Sequence, residues 1–231
     1  MKIHTFAATA AIALAASLGL SAAAQAGTMI GPNLDYESFA DSPFSGHAFS
    51  YFHLEDFEDG ALNTPGVTSS GGVVVGPGTF VDSVDGGGPN GKSYFNICGS
   101  CGLTFTFDAV ALGQLPTSVG IVWTDGDVPS RHFSAWDQNN VLIGTVNDST
   151  GLWFSSGGDA DAENYRFFGA TNAGGISKIF ISNDSGGIEV DHLQYGAAAG
   201  GVPEPATWAL TIVGFGLAGS ALRRRPATRA A

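Results

Sequence analysis

Three stretches of this chain set reactive or ligating residues at spacings that chemistry uses. Gly86 to Ser93 reads G-G-G-P-N-G-K-S, the form of a phosphate-binding loop. Such a loop must open a helix whose first amides face the phosphates. Here Tyr94, Phe95, Asn96 and Ile97 follow, β-prone and then turning, so Pro89 and Asn90 read as a surface turn and no nucleotide is expected. Cys98-Gly99-Ser100-Cys101 holds both cysteines of the chain, and a C-x-x-C is a redox centre, half of a zinc site or a small disulfide loop. Two thiols cannot build a four-sulfur zinc site, and no neighbouring histidine pair completes one. A redox role needs a helix N-terminus to activate the thiol, whereas Leu103 opens the clearest strand of the chain. Asp159-Ala160-Asp161-Ala162-Glu163-Asn164 begins like a calcium loop, but Asn164 stands where glycine makes the turn and Ala170 where the closing glutamate belongs. It reads as an acidic hairpin tip.

The catalytic inventory is thin. Neither G-x-S-x-G nor H-E-x-x-H occurs, and His47, His53, His132 and His192 are scattered singly. Asp125 and Asp127 have the residue types of an acid–base pair for glycan hydrolysis, with Glu163 as a further candidate, but carboxylate separation is a three-dimensional quantity. No catalytic residue is assigned. For sugar binding, Trp123, Trp136 and Trp153 offer flat rings, against the competing fate of core packing. Trp136, on an alternating strand near Phe133, is expected to be buried. Trp153, between Gly151 and the S-S-G-G-D loop, is expected to be exposed, which makes Trp153, Asp125 and Asp127 the candidate ligand-binding residues.

The elements that must position these residues are short β segments separated by glycine, asparagine and aspartate turns. Leu103 to Phe107 alternates cleanly, with Leu103, Phe105 and Phe107 on one face. Val119 to Trp123, Phe133 to Trp136, Val141 to Val146, Arg166 to Ala170, Ile176 to Ser182 and Ile188 to Tyr195 continue the pattern, and no amphipathic helix of three turns interrupts it. Many short strands without crossover helices predict an all-β antiparallel sandwich of the jelly-roll kind over residues 47–196, preceded by an extended segment, 27–46. Along the last strand the apolar face switches: Ile188 and Val190 share one side, Leu193 and Tyr195 the other. Near Asp191 there must be a bulge or an inward carboxylate. A buried carboxylate is costly unless paired.

The two ends differ from this block. Lys2 and His4 precede an apolar run from Ala7 to Leu20 and the small-residue exit Ala24-Gln25-Ala26, the pattern of a secretory signal peptide over 1–26, addressed to the Sec export machinery. At the other end a linker, 197–205, leads to an apolar stretch from Ala206 to Leu222, near the lower limit for a membrane-spanning helix. Arg223, Arg224 and Arg225 hold the tail, 223–231, in the cytoplasm. Between the ends lie all of the 21 acidic residues except Glu204, against only Lys92, Arg131, Arg166 and Lys178. That balance excludes nucleic acid as a partner and suits divalent cations or neutral sugars. An oxidising destination favours a closed disulfide between Cys98 and Cys101.

Pro203-Glu204-Pro205, an apolar helix and the cluster Arg223, Arg224 and Arg225 together resemble the PEP-CTERM sorting signal of Gram-negative bacteria. The resemblance implies recognition by an exosortase near the proline-flanked glutamate, transient residence in the inner membrane and delivery to the cell surface or an exopolysaccharide matrix. Two prolines keep the segment before Ala206 out of a helix and open to a peptidase. The stretches F-E-D-G-A-L-N-T-P-G-V from Phe57, V-W-T-D-G-D from Val122 and G-G-I-E-V-D-H-L-Q-Y-G from Gly186 are similar to jelly rolls related to galactose-binding and carbohydrate-binding modules. That similarity implies a structural calcium ion shared by Glu58 and Asp191, with Asp56 as a third ligand, and extracellular polysaccharide as partner. The leading expectation is a non-enzymatic surface or matrix protein. The others are a secreted glycan hydrolase and a purely structural adhesion or flocculation protein.

Overall fold

The computed structural model describes residues 27–33, 35–79, 81–86, 90–126, 130–149, 165–199 and 212–216. The predicted signal peptide, Asp127, Trp153, Glu163 and the Pro203-Glu204-Pro205 and arginine elements of the tail lie outside the described residues.

Two antiparallel sheets form the fold. The larger takes β1 (Thr28–Asn33), β10 (Arg166–Thr171), β7 (Ser118–Gly126), β12 (Ile188–Ala198), β5 (Ser93–Asn96) and β4 (Val73–Val75) in that order, with β2 (Phe49–Glu55) also paired to β12. The smaller runs β3 (Val67–Ser69), β6 (Leu103–Phe107), β11 (Ile176–Asn183), β8 (Arg131–Asp137) and β9 (Leu142–Asp148). The all-β antiparallel sandwich expected from the alternating segments is therefore present. A four-residue helix, α1 (Ala109–Leu112), is capped by Asp108, whose Oδ1 accepts from Val110 N at 2.8 Å, and stopped by Gly113 in the left-handed region.

The inner faces supply the core. Leu103, Phe105 and Phe107 of β6 meet Ile121 and Trp123 of β7, Phe168 of β10 and Val190 and Leu193 of β12. A second apolar cluster lies on the opposite side of the larger sheet, where Val122 and Phe167 are covered by Tyr36, Phe44 and Tyr165. The segment 27–46 thus contributes β1, a 3-10 turn (Phe39–Asp41) closed by a Ser38–Asp41 capping box, and two core aromatics. The larger sheet is buried on both faces, which explains why ten consecutive residues of β12 are buried.

The face switch along β12 is a bulge. Its register against β7 shifts between Glu189 and Val190 and again between Asp191 and Gln194, and His192 stands at φ 45°, the left-handed region that a non-glycine residue rarely enters. On its other edge β12 pairs with β5 through Val190 and with β2 from Leu193. Asp191 and His192 fall where one partner strand hands over to the next.

Candidate functional site

The buried acids of the larger sheet gather where residues 81–86 run along β12. Asp125 of β7 sits directly across from Glu189 of β12, and Asp82 comes down over both: one carboxylate oxygen from each lies within 4.8 Å of the others. Asp82 is 7% exposed and Glu189 4%. Asp82 N donates to Glu189 Oε1 at 3.0 Å, and Ser93 Oγ donates to the same oxygen. Burial pushes the Glu189 carboxyl from its ordinary 4.5 up to about 7, with those two hydrogen bonds opposing the shift. Burial, followed by the Asp125 charge, raises Asp82 to about 6.

Two residues further along β12, Asp191 is fully buried at the bulge. Its Oδ2 accepts from Ser83 Oγ at 3.0 Å and Val84 N at 2.8 Å, and its Oδ1 from His192 N at 2.6 Å. Burial outweighs these bonds and holds its carboxyl well above the usual range. His192 Nε2 meets Asp85 Oδ2 at 2.9 Å, and its Nδ1 lies 3.1 Å from the Tyr36 hydroxyl, which accepts from Gln194 Nε2 at 2.7 Å. Ser42 Oγ donates to Gln194 Oε1 in turn. This chain ties the segment before β2 to the bulge.

The residues that the resemblance implies for calcium are not brought together in one acidic cluster. Asp191 gathers with Asp85 and His192, not with Glu58 or Asp56. Glu58 Oε1 accepts from Lys92 N, and the Lys92 ammonium donates to the Glu58 carbonyl. Asp56 Oδ1 accepts from Glu58 N at 3.1 Å, an Asx-type turn. Glu55, not singled out in the sequence, organises the same loop, accepting from the backbone N–H of Phe57, Asn63 and Thr64 and from the Thr64 hydroxyl.

A third polar group joins the sheets. Asp148 Oδ2 accepts from Arg131 Nε at 3.2 Å and Nη2 at 2.9 Å, and Arg166 Nε lies 3.2 Å from the same oxygen, with all three side chains fully buried. Arg131 and Asp148 face each other across β8 and β9 of the smaller sheet, while Arg166 opens β10 of the larger.

Of the remaining predicted residues, Cys98 and Cys101 form a disulfide between β5 and β6. Ser93, the last residue of the phosphate-loop match, begins a strand rather than a helix. Trp123 is core. Trp136, expected to be buried, is half-exposed: Phe133 and Ala135 point inward, so strand parity turns Trp136 outward, beneath the Lys178 ammonium at 4.9 Å from its ring centroid.

Burial pushes the Asp82 and Glu189 carboxyls toward their protonated forms; a hard divalent cation is the other partner that could neutralise such oxygen donors. The Asp82–Asp125–Glu189 trio fits such an ion by its chemistry.

Residues 201–225 match the PEP-CTERM protein-sorting motif. The chain carries a PEP-CTERM tail. The match takes in Pro203, Glu204 and Pro205 and ends at Arg225, so it covers the tail and leaves the sandwich unclassified. A PEP-CTERM tail marks an exported protein whose precursor is anchored in a membrane. Within the predicted span Ala206–Leu222, residues 212–216 are helical, with Ile212, Val213 and Phe215 exposed. Among the described residues no helix is long and apolar enough to cross a membrane.

No curated protein sequence matches the chain. Among solved structures, the C-terminal family 22 carbohydrate-binding module of Clostridium thermocellum Xyn10B is 14% identical, with a TM-score of 0.36, over 69% of this chain and 99% of that one. The enzymatically active domain of tailspike protein 4 from bacteriophage CBA120 is 12% identical, with a TM-score of 0.33, over 62% of this chain and 20% of that one. An exo-beta-agarase is 14% identical, with a TM-score of 0.25, over 62% of this chain and 25% of that one.

Proposed function

We propose that this chain is a non-enzymatic protein of the cell surface or extracellular matrix. The Sec machinery exports it, an exosortase processes it at its PEP-CTERM tail while it resides in the inner membrane, and its jelly roll associates with extracellular polysaccharide. The observation that carries the reading is the sorting motif at 201–225, supported by a strongly acidic sandwich that has no use for nucleic acid. A structural calcium ion belongs to the proposal, with Asp82, Asp125 and Glu189 as its protein ligands in place of Glu58, Asp191 and Asp56.

Fractionation of the native host tests this reading. The protein is expected to sediment with the extracellular matrix and to be released when that matrix is digested by glycosidases. Recovery in the soluble fraction both before and after digestion would refute the association.

A further inference from the structure

The two sheets treat their outer faces differently. The larger sheet is covered by Tyr36, Phe44 and Tyr165, whereas the outward residues of the smaller sheet remain half-buried or exposed apart from Ser134 at 8%. Registry lays that open face out as rows crossing β6, β11, β8 and β9. One row is Thr106, Lys178, Trp136 and Leu142; the next is Thr104, Phe180, Ser134 and Thr145. At about 4.8 Å per strand a row runs about 14 Å. Each row carries one aromatic ring near its middle, Trp136 in the first and Phe180 in the second, bordered by hydroxyl groups. Ser134 Oγ and Thr145 Oγ1 are 2.8 Å apart and retain further hydrogen-bonding capacity. On the next row His132 Nδ1 meets Asn147 Oδ1 at 2.7 Å.

We infer that this open face of the smaller sheet is a binding platform for a neutral polysaccharide, with Phe180 and Trp136, from which the flexible Lys178 side chain swings aside, stacking on the sugar rings and the flanking hydroxyls taking their polar edges. The inference rests on the polysaccharide association proposed above and places it on Trp136, which the sequence led us to expect in the core, and on Phe180, which the sequence did not single out. Chemistry selects the occupant. Apart from Leu142 on the edge strand β9, these rows present no outward aliphatic side chain, so their apolar surface is chiefly the two rings. Flat rings beside hydroxyl groups match the apolar faces and polar rims of pyranoses. Charge favours a neutral chain: Arg131 and Arg166 are buried against Asp148, the Lys92 ammonium is held by the Glu58 carbonyl, and Lys178 is the basic side chain on this face of a domain that is otherwise acidic. The field of the whole domain, with its excess of carboxylates, disfavours the approach of a polyanion.

The test is retention of the full-length chain, in detergent micelles, on insoluble xylan, cellulose and β-1,3-glucan, with alginate gel as the anionic comparison. Retention on a neutral polysaccharide is expected to fall about tenfold in Trp136→Ala and to persist in Trp136→Phe. Both variants should keep the wild-type melting temperature, because the ring lies outside the core. Retention that survives Trp136→Ala and Phe180→Ala but disappears in Trp153→Ala overturns this platform and leaves polysaccharide association standing. Retention on alginate alone overturns the neutral ligand. No retention on any of the four supports overturns the platform and the association together.

Discussion

Replacing Glu189 by glutamine isolates the acidic trio at the heart of the larger sheet. The buried carboxyl titrates at about 7 instead of its ordinary 4.5, so the folded chain holds a proton there that the unfolded chain releases across that interval. Stability from this group is therefore full below pH 4.5 and is lost as the pH rises to about 7; at 1.36 kcal/mol per unit the loss is about 3 kcal/mol. Asp82, raised to about 6, adds a loss of the same sign over its own interval. Glutamine retains the oxygen that accepts from Ser93 and Asp82 and removes the titration. Urea unfolding followed by tryptophan fluorescence, in chelator, from pH 4.5 to 8 is the assay. The wild type is expected to weaken steadily across the range, and Glu189→Gln to weaken by about 3 kcal/mol less. Calcium is expected to act in the opposite sense: at a hundredfold excess over its dissociation constant it should add about 2.7 kcal/mol near pH 7.5 and little at pH 4.5, where protons compete for Asp82 and Glu189. Parallel pH profiles for the wild type and Glu189→Gln would refute the titration argument. Calcium-independent stability at pH 7.5 would refute the ion.

Two further substitutions probe the frame around that site. Asp148→Ala leaves the guanidinium groups of Arg131 and Arg166 buried without the carboxylate they share, and is expected to cost about 3–5 kcal/mol in urea unfolding; a cost below about 1 kcal/mol would show that solvent reaches them. Gly120→Ala puts a methyl group 2.1 Å from Phe167 Cζ, with an expected loss of about 1–3 kcal/mol, read as a lower melting temperature; an unchanged melting temperature would mean that the Phe167 ring moves aside freely.

Local pattern carried much of this fold. Alternation in Leu103–Phe107 placed β6 and its inward face, and the parity flip between Val190 and Leu193 located the bulge at Asp191 and His192. Parity also held the answer for Trp136: with Phe133 and Ala135 inward, it had to point out. The three-residue strands β3 and β4 are too short to show a period. Burial of both faces of β7 and β12 depends on Tyr36 and Phe44, which arrive from far along the chain. Asp125 stood out in the sequence, but its partners Asp82 and Glu189 were missed for the same reason. Asp82 reaches Glu189 across 107 positions, and nothing in the spacing of either residue signals the other. Likewise, Glu58 was paired with Asp191 by analogy alone, and its carboxylate turned out to serve the backbone of Lys92.

Intact-mass analysis of the chain recovered from the membrane and surface fractions of its native host tests the central claim most directly. The account predicts a membrane-bound precursor and a surface form that ends near Pro203-Glu204-Pro205, with the surface form lost when these three residues are replaced by alanine. A single full-length species confined to the cytosol, unchanged by that substitution, would contradict it.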